Sequence, residues 1–411
     1  MKILVLLTLS ITAVLSGRVS YDGYKVYQVA PVTEQDGEIL KSLKESGQYD
    51  FWSNVKFLGQ KVSIMVKPEL QANFTNILNL NNLDYTVLIE NAENVFQQER
   101  EKQSRAPKVE KGRINFTQYH RYEAIEAYLA RLAEEYPDKV IVRPFGVSYE
   151  GRIMSYIRIG NNEGNPTILM DAGIHAREWI APAFALYIIQ QLVENPDYAY
   201  LSEKVNWVII PLLNPDGYEY SHDVDRMWRK TRSAGVQCYG VDGNRNFGFM
   251  WGGLGTSDNE CSEIYRGPYA FSEVEIAAFR DIVYSLENVD FYMALHSFGN
   301  WVLYPWGYDF LLTDNNDELH YLGERIANAI AQLFGTYYVV GNSAFLLYPA
   351  AGASDDWMKA VGGADLSYTL ELPGGGSQGF DLPPERIENV VIETWQGIIA
   401  AYEYILEIQK N

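Results

Sequence analysis

Residues 171–179 carry a histidine and a glutamate, His175 and Glu178, three positions apart. The apolar run 167–170 just before them predicts a buried strand, and residues 181–193 just after them predict a helix. The pair therefore follows a strand end, where open α/β sheets usually place their ligand crevices. An imidazole and a carboxylate at this spacing can bind one ion, but the same spacing also arises by chance in surface turns.

A third ligand has few candidates, because the chain holds only five histidines. His296 follows a second apolar, strand-like run, and two strands ending side by side would bring it to His175 and Glu178. Two histidines and one glutamate, with a fourth position left to water, are the ligand set of a catalytic zinc ion. We expect the remaining histidines to be ordinary surface or half-buried residues: His120, His222 and His320.

Composition limits the classes of partner. The 411 residues, 47% of them hydrophobic, allow two or three domains with a large core. The net charge of −20 argues against nucleic acid or an anionic membrane as a partner. The charge suits a soluble protein, and it would also attract cationic substrates.

The N-terminus has the pattern of a secretory signal. Lys2 precedes an apolar run that ends near the small residue Ser16, and the run is short for a membrane anchor. No later stretch is long and apolar enough to span a bilayer, so we expect a soluble protein outside the cytosol. In that setting Cys238 and Cys261, the two cysteines of the chain, are predicted to form one disulfide.

Residues 17–99 form a separate predicted unit. Its strand-like and helix-like runs follow the order β-α-β-β-α-β, with strands at 24–29, 49–55, 61–66 and 85–89, which indicates a ferredoxin-like open sandwich. The charged stretch 97–112 then suits an exposed helix that frays into a linker. It is either a plain linker or a cleavage site for a trypsin-like protease, with the front unit as a propeptide.

The remainder of the chain alternates strands and helices and predicts one large α/β domain. We expect a mixed, mostly parallel twisted sheet with helices on both faces. Its predicted elements, beyond those around the histidines, are a helix at 122–136, a hairpin of 140–147 and 153–159, strands at 206–213 and 367–371, and a closing helix at 385–407.

Six motifs, taken together and in order, resemble the zinc metallocarboxypeptidases of the digestive procarboxypeptidase type. They are Gly-Ile-His-Ala-Arg-Glu-Trp-Ile at 173–180, Asn-Pro-Asp-Gly-Tyr at 214–218, Trp-Arg-Lys-Thr-Arg at 228–232, Gly-Asn-Arg-Asn-Phe at 243–247, His-Ser at 296–297 and Thr-Leu-Glu-Leu at 369–372. The resemblance implies a signal peptide at 1–16, a ferredoxin-like activation propeptide at 17–105 and a carboxypeptidase-like catalytic domain at 106–411. It also implies activation by a trypsin-like protease near Arg105, with Lys108 or Lys111 as alternatives.

The resemblance assigns roles around the metal. It makes His175, Glu178 and His296 the ligands of one Zn2+. Glu371 matches the general base that takes a proton from the zinc-activated water. Arg229 matches the residue that stabilises the oxyanion. Asp242 matches a carboxylate that orients one histidine ligand, although an ordinary turn residue is an equal alternative here.

The resemblance also implies recognition of a free C-terminus. Arg245 with Asn244 matches the pair that binds the terminal carboxylate of a peptide, and a planar guanidinium suits both oxygens. Tyr348 matches a mobile tyrosine that closes over the substrate. Arg177 and Arg226 match further arginines that contact the substrate.

Asp355 aligns with the floor of the pocket for the last side chain. A carboxylate there goes with C-terminal Lys or Arg, and an apolar residue goes with apolar or aromatic side chains. Ser343 and Gly307, at other pocket positions, are small and leave room for a long side chain. The alternative is that Ser354 is a helix N-cap and Asp355 merely suits the helix dipole, which would leave an apolar preference open.

Two other classes of function are weighed against a digestive exopeptidase. An inactive relative that binds peptides would be expected to lack a ligand or the base, yet His175, Glu178, His296 and Glu371 are all present. A processing carboxypeptidase would typically carry an extra C-terminal β-domain. Phe298 stands where many relatives of this type carry Tyr, and the glycines at 374–376 depart from the vertebrate pattern and resemble invertebrate gut forms. We therefore expect a secreted monomer of the digestive lumen.

Overall fold

The computed structural model describes residues 17–52, 59, 61–160, 162–375 and 379–409. The predicted signal segment 1–16 lies outside these residues. The front part of the chain contains strands β1 to β4 and helices α1 to α3: β1 Lys25–Val29, α1 Glu34–Glu45, β2 Asp50–Phe51, β3 Val62–Val66, α2 Pro68–Leu80, β4 Tyr85–Ile89 and α3 Ala92–Arg105.

The front unit has the predicted ferredoxin-like topology. Its sheet has the order β2-β3-β1-β4, and every neighbouring pair is antiparallel. Alternating residues of the strands and the inner faces of α1 and α2 form its own core, which includes Tyr27, Ile64 and Phe74. The strand predicted at 49–55 is found at Asp50–Phe51, and residues 53–58 lie outside the described part of the chain.

The large domain is built on a second, mixed sheet. Its elements are α4 Tyr122–Glu135, β5 Val140–Val147, β6 Ile153–Ile159, β7 Thr167–Ala172, α5 Ile180–Glu194, β8 Asn206–Ile210, α6 Pro215–Asp223, α7 Val274–Ser285, β9 Val289–Ser297, β10 Trp301–Tyr304, α8 Asn316–Phe334, β11 Val339–Asn342, α9 Ser343–Leu346, α10 Ser354–Trp357, β12 Leu366–Leu372 and α11 Ile387–Ile408.

The order of this sheet is β11-β10-β12-β9-β7-β8-β6-β5. The central pairs β12–β9, β9–β7 and β7–β8 are parallel, whereas the β5–β6 hairpin is antiparallel. The central strands β7 and β8 are buried along their whole length, because α5 and α11 pack on one face and α7 on the other. The predicted α/β class, with a mixed and mostly parallel sheet, is confirmed.

Most element boundaries fall within two residues of the prediction. β8 ends at Ile210 rather than at 213, and α11 begins at Ile387 because residues 384–386 form a short 3-10 turn. Among the described residues, none of the helices has the length and apolar character needed to cross a bilayer.

Two local predictions have clear outcomes. Cys238 and Cys261 form the predicted disulfide, with their Cα atoms 5.2 Å apart. His120 was expected to be exposed or half-buried, and this was wrong: only 8% of it is exposed. Its ring nitrogen Nε2 lies 3.1 Å from the backbone nitrogen of Asn115, so the buried ring has a polar partner.

Candidate active site and metal centre

The turn that follows β7 presents His175 and Glu178 to the end of β9. Gly173 makes this turn possible, since its φ of +70° is left-handed and a Cβ there would lie 2.7 Å from Leu212. Because β7 and β9 are parallel neighbours, His296 near the end of β9 meets the turn. The three side chains that the sequence predicted as ligands come together here, and all are buried.

The three side chains converge on one point. Nδ1 of His175 lies 2.8 Å from Oε1 of Glu178, and Nδ1 of His296 lies 3.0 Å from Oε2 of the same carboxylate. The two Nδ1 atoms are 3.1 Å apart. Two imidazoles and one carboxylate in this arrangement offer one ligand atom each to a single ion.

The donor set fits a zinc ion. Nε2 of His175 lies 3.1 Å from a carboxylate oxygen of Asp242, which can only accept, so this nitrogen carries the proton of the neutral ring. Nδ1 of His175 therefore points a lone pair at the Glu178 carboxylate and at His296. Converging lone pairs in a buried site repel one another unless a cation lies between them. Tetrahedral nitrogen and oxygen coordination is what zinc prefers.

The charges around the cluster favour a cation. Burial opposes the ionisation of Glu178, but His175 and His296 outweigh it and hold the pKa of Glu178 below its usual range. Burial likewise opposes the charge of His296, yet the Glu178 carboxylate outweighs it and raises the pKa of His296 to about 9. The site is thus a buried, electronegative cluster.

Asp242 links the metal cluster to Arg229. Its Oδ1 faces His175, and its Oδ2 accepts a hydrogen bond of 2.9 Å from Nη2 of Arg229. The same carboxylate also accepts from the backbone N–H of Asn244 at 3.0 Å, which caps the short turn Gly243–Arg245. Asp242 thus has the contacts of both alternatives that the sequence left open, a carboxylate that orients a histidine and a residue that caps a turn. Nη1 of Arg229 lies 3.7 Å from Glu178, so the guanidinium borders the cluster.

Glu371 lies beside the metal cluster on the next strand. β12 runs parallel to β9, and Glu371 is directly opposite His296 in their register. Residues directly opposite each other point to the same face of a sheet. The half-buried carboxylate of Glu371 therefore shares the face and the edge of the sheet with the proposed ligand.

The predicted carboxylate-binding residues form a second group nearby. Arg245 is buried, and its Nη1 lies 4.0 Å from Asp242, so it is connected to the metal cluster through that carboxylate. The Tyr348 hydroxyl is 3.5 Å from Nη2 of Arg245. Asn244 accepts a hydrogen bond of 2.9 Å from the backbone of Ser354, where α10 begins.

Asp355 and Asp356 have different surroundings on α10. Asp356 accepts backbone N–H groups from Gly307 and Tyr308, each at 2.7 Å. Asp355 instead accepts hydrogen bonds from hydroxyl groups, that of Thr369 at 3.2 Å and that of Ser343 at 3.4 Å. Burial raises the pKa of Asp355.

The interpretation of Ser354 as the N-cap of α10 is wrong. Ala353 occupies the N-cap position, with an extended backbone and no side-chain cap, and Ser354 is already helical. Asp355 therefore lies in the first turn, where its Oδ1 accepts the backbone N–H of Asp356 at 3.0 Å.

The Asn-Pro-Asp-Gly-Tyr motif holds two site segments together. Asn214 caps α6 by accepting the N–H of Gly217 at 2.9 Å. Its amide donates to the carbonyl of Ile174 at 3.1 Å and to that of Lys230 at 3.0 Å. It therefore joins the turn that bears His175 to the segment that bears Arg229.

Comparison with known proteins agrees with this geometry. Residues 125–397 match the family described as zinc carboxypeptidase, and residues 27–99 match the carboxypeptidase activation peptide. The chain belongs to the zinc carboxypeptidase family. It is a metallocarboxypeptidase zymogen with zinc as its cofactor, and peptides are its substrates.

Relatives cover nearly the whole carboxypeptidase chain. Carboxypeptidase B of Helicoverpa zea is 38% identical, with 96% of each chain covered. Zinc carboxypeptidase A 1 of Anopheles gambiae is 36% identical, covering 93% of this chain and 90% of its own. The crystal structure of carboxypeptidase A from Helicoverpa armigera superposes with a TM-score of 0.90 at 34% identity, covering 95% of this chain and 99% of that one.

The activation domain of this carboxypeptidase contacts the site residues directly. Lys44 on α1 lies 4.5 Å above the ring of Tyr348, and Asp50 on β2 lies 3.7 Å from Arg177. Burial opposes ionisation of Tyr348, but the cations Arg245 and Lys44 outweigh it and hold its pKa below the usual value.

One contact between the two domains is a buried ion pair. Glu99 on α3 binds Arg226 through two contacts, of 2.5 and 3.1 Å, and both side chains are buried. Sequence reasoning did not identify Glu99, Asp50 or Lys44. Of these three residues, only Glu99 has a recognisable pattern in the sequence. It is an acidic residue on the face of α3 that Ala92 and Phe96 make apolar, which indicates a buried carboxylate.

Proposed function

We propose that this carboxypeptidase removes C-terminal Lys and Arg residues from peptides. The observation that carries the proposal is Asp355, a buried carboxylate that accepts from hydroxyl and backbone donors and takes part in no ion pair within the described part of the chain. A buried carboxylate without a counter-ion is costly, and the ammonium or guanidinium of a substrate would supply one.

The surroundings of Asp355 support a long side chain in this pocket. Ser343 and Gly307 are small, and a Cβ on Gly307 would lie 3.4 Å from Cβ of Ser343 and 3.7 Å from Asp356. A larger residue at 307 would therefore extend into this space. The alternative, an apolar or aromatic preference, has support in the relatives, which include enzymes named carboxypeptidase A as well as B.

The proposed roles at the metal follow from the contacts. His175, Glu178 and His296 would hold the zinc ion, which when bound would supply a water of lowered pKa and a Lewis acid for the carbonyl. Glu371, on the same face as His296, takes the proton of the attacking water and delivers it to the leaving amine. Arg229 stabilises the negative charge that develops on the scissile carbonyl oxygen.

The proposed substrate residues act on the free C-terminus. Arg245 and Asn244 bind the terminal carboxylate, and Tyr348 closes over it from its position beside Arg245. Arg177 contacts the chain further from the terminus. Asp242 has a positioning role, because it orients both His175 and Arg229.

The chain is proposed to be secreted into a digestive lumen as a monomeric zymogen. The signal-like residues 1–16 and the family's activation peptide support this. We propose domains at 17–105 and 106–411, with cleavage after Arg105 or, alternatively, Lys108 or Lys111. All three are exposed, and Arg105 ends α3. N-terminal sequencing of the active form identifies the site.

The test is a comparison of C-terminal residues. Trypsin-treated protein is assayed on matched peptides that end in Lys, Arg, Leu or Phe. We expect kcat/KM to be higher for Lys and Arg by about 100-fold, the effect of one desolvated charge pair. Faster cleavage of Leu or Phe would support the apolar alternative, and no cleavage despite bound zinc would support an inactive, peptide-binding relative.

A further inference from the structure

The outer ring nitrogens of the two histidine ligands have different surroundings. Nε2 of His175 has the carboxylate of Asp242 at 3.1 Å. Nε2 of His296 is buried and has no hydrogen-bond partner among the residues that the structure describes. A metal-bound imidazole normally donates its second N–H to a carboxylate, a carbonyl or a water molecule. An acceptor for His296 is therefore to be sought among the buried groups around it.

Asp171 is a buried carboxylate on the adjacent strand, with 1% of its surface exposed. Its Oδ1 accepts a hydrogen bond from the hydroxyl of Tyr292. Its Oδ2 is buried and has no hydrogen-bond partner within the described part of the chain. We therefore expect a hydrogen-bond donor near this oxygen, because an unsatisfied buried polar group is costly.

The register of the sheet puts these two atoms on one face. In the parallel pair β7–β9, Asp171 is directly opposite Ala294. Side chains alternate along a strand, so Tyr292, Ala294 and His296 point to the same face as Asp171. Asp171 thus lies between Tyr292, which binds one of its oxygens, and His296, which is its diagonal neighbour on the other side.

A second buried carboxylate has to be considered as the acceptor. Asp355 is a further carboxylate near this face, but its oxygens already accept from Ser343, Thr369 and the backbone of Asp356. Asp171 is the better acceptor because one of its oxygens has no such donor.

We propose that Asp171 is a positioning residue for His296, and that Tyr292 holds it in place. Oδ2 of Asp171 accepts a hydrogen bond from Nε2–H of His296, directly or across one buried water molecule. This bond keeps Nδ1 turned toward the metal and makes the imidazole a more basic ligand. Asp171 would do for His296 what Asp242 does for His175. The proposal rests on the ligand set proposed above.

The test measures zinc affinity of the full-length chain by competition with a chelator. Asp171→Leu removes the acceptor, and we expect its zinc Kd to rise about 10- to 100-fold, as for other residues behind a ligand. Asp242→Asn is the reference for that effect. Met170→Leu, a volume-conserving change of the next residue on β7, is the matched control and should stay within about twofold of the wild type.

Two further measurements separate positioning from a merely structural role. Substitution of zinc by cobalt reports ligand geometry through the visible absorption bands, which we expect to shift in Asp171→Leu and not in Met170→Leu. The melting temperature of the metal-free chain should fall somewhat in Asp171→Leu, because the buried Tyr292 hydroxyl loses its acceptor, so the cobalt spectrum is the readout that a merely structural role would not change. Unchanged affinity and an unchanged cobalt spectrum would overturn the proposal.

Tyr292→Phe decides the matter if Asp171→Leu does not fold. It leaves the carboxylate but removes its hydroxyl partner, so zinc affinity should fall by several-fold; affinity equal to the wild type would contradict the role of Asp171. Zinc binding by the wild type separates failure of the ligand set from failure of the role of Asp171. If the wild type binds no zinc, the ligand set is wrong. If the wild type and the variants all bind zinc tightly, only the role of Asp171 is refuted.

Discussion

The carboxylates around the active site differ in their neighbours, and the neighbours limit what each can do. Glu178 lies between two imidazoles, which keep it ionised, as its proposed role of metal ligand requires. Asp242 is shared by His175 and Arg229 and has no oxygen left for a substrate. Asp355 has only weak hydroxyl donors and one backbone N–H, so it retains the capacity to bind a cation.

Replacement of Asp355 should change which residue the enzyme removes. In Asp355→Leu we expect kcat/KM for C-terminal Lys to fall about 100-fold or more, since a cation would enter a pocket without a counter-charge. Cleavage of C-terminal Leu should rise. Asp365→Asn is the control, because its carboxylate is exposed and pairs with Lys359. Equal losses for Lys and Leu substrates in Asp355→Leu would contradict the assignment.

The pH dependence should report the same group. Burial raises the pKa of Asp355, so its carboxylate takes up a proton at a higher pH than an ordinary aspartate. As pH falls through that raised pKa, KM for Lys and Arg substrates should increase while KM for Leu substrates changes less. The measurement is KM against pH for paired peptides, and parallel curves for the two peptides would speak against Asp355.

Glu371 should affect the rate rather than binding. Glu371→Gln keeps the shape of the side chain but cannot take a proton, so we expect kcat to fall about 100- to 10,000-fold with little change in KM. Zinc content measured on the same samples is the control, and it should stay at one ion per chain. A loss of zinc that accounts for the lost activity would show a structural role instead.

At the level of elements, one disulfide-closed loop carries three of the polar residues around the site. Cys238 and Cys261 are 23 residues apart, and Asp242, Asn244 and Arg245 lie between them. The loop therefore brings Asp242, the partner of His175, and Arg245, the proposed carboxylate-binding residue, to the ends of the parallel strands. Asn214 fastens the neighbouring segment to the turn after β7.

Removal of this disulfide should weaken substrate binding generally. In the double variant Cys238→Ser, Cys261→Ser we expect a loss of stability of about 3 kcal/mol from the freed loop. KM should rise for Lys- and Leu-ending peptides alike, because the loop holds Arg245 but not Asp355. Denaturant unfolding and paired kinetics check both points. A selective loss for Lys-ending peptides would contradict this division of roles.

Sequence reasoning identified the parts of the site that depend on strand ends. His175 and His296 follow mostly apolar runs, and mostly apolar parallel strands lie in the centre of such a sheet, so their meeting was predictable. The hydrogen-bond partners of Asp355 were not predictable from local pattern, because Ser343 and Thr369 come from distant elements. The cap of α10 was not predictable either, since Ala353 rather than Ser354 occupies that position. Local pattern carries no information about such packing.

For Asp171 the sequence does carry a signal. It is a charged residue in an otherwise apolar buried strand, and a charge in such a position usually has a purpose. The fold of the front unit was likewise predictable from its element order. The way in which the front unit docks onto the catalytic domain was not predictable, since the contacts of Lys44, Asp50 and Glu99 join residues more than a hundred positions apart.

At the scale of the whole molecule, two ion pairs of α3 join the activation domain to the catalytic domain. Glu99–Arg226 is buried, with 3% and 5% of the two side chains exposed. Lys102–Glu385 is exposed, with 45% and 58%. The same helix thus provides a test of what burial adds to an ion pair across a domain boundary.

Loss of the buried pair should speed activation. In Glu99→Gln we expect activity to appear sooner after trypsin treatment, because Arg226 loses a desolvated partner at a cost of about 2–5 kcal/mol. Lys102→Ala, the matched control, should change the time course little, since exposed pairs contribute about 0–1 kcal/mol. The rate of peptide bond cleavage by trypsin is followed on a gel in parallel. Similar effects of both variants would contradict the importance of burial.

The position of α3 has a consequence for the concentration at which the enzyme works. A cut after Arg105 leaves Gln103 exchanging hydrogen bonds of 2.9 Å with the backbone of Tyr119 in the catalytic domain, besides the Glu99 contact. The two fragments then become separate molecules held by a dissociation constant. We therefore expect the severed piece to inhibit its former partner, and dilution into a large volume of fluid, or digestion of the piece itself, to release full activity.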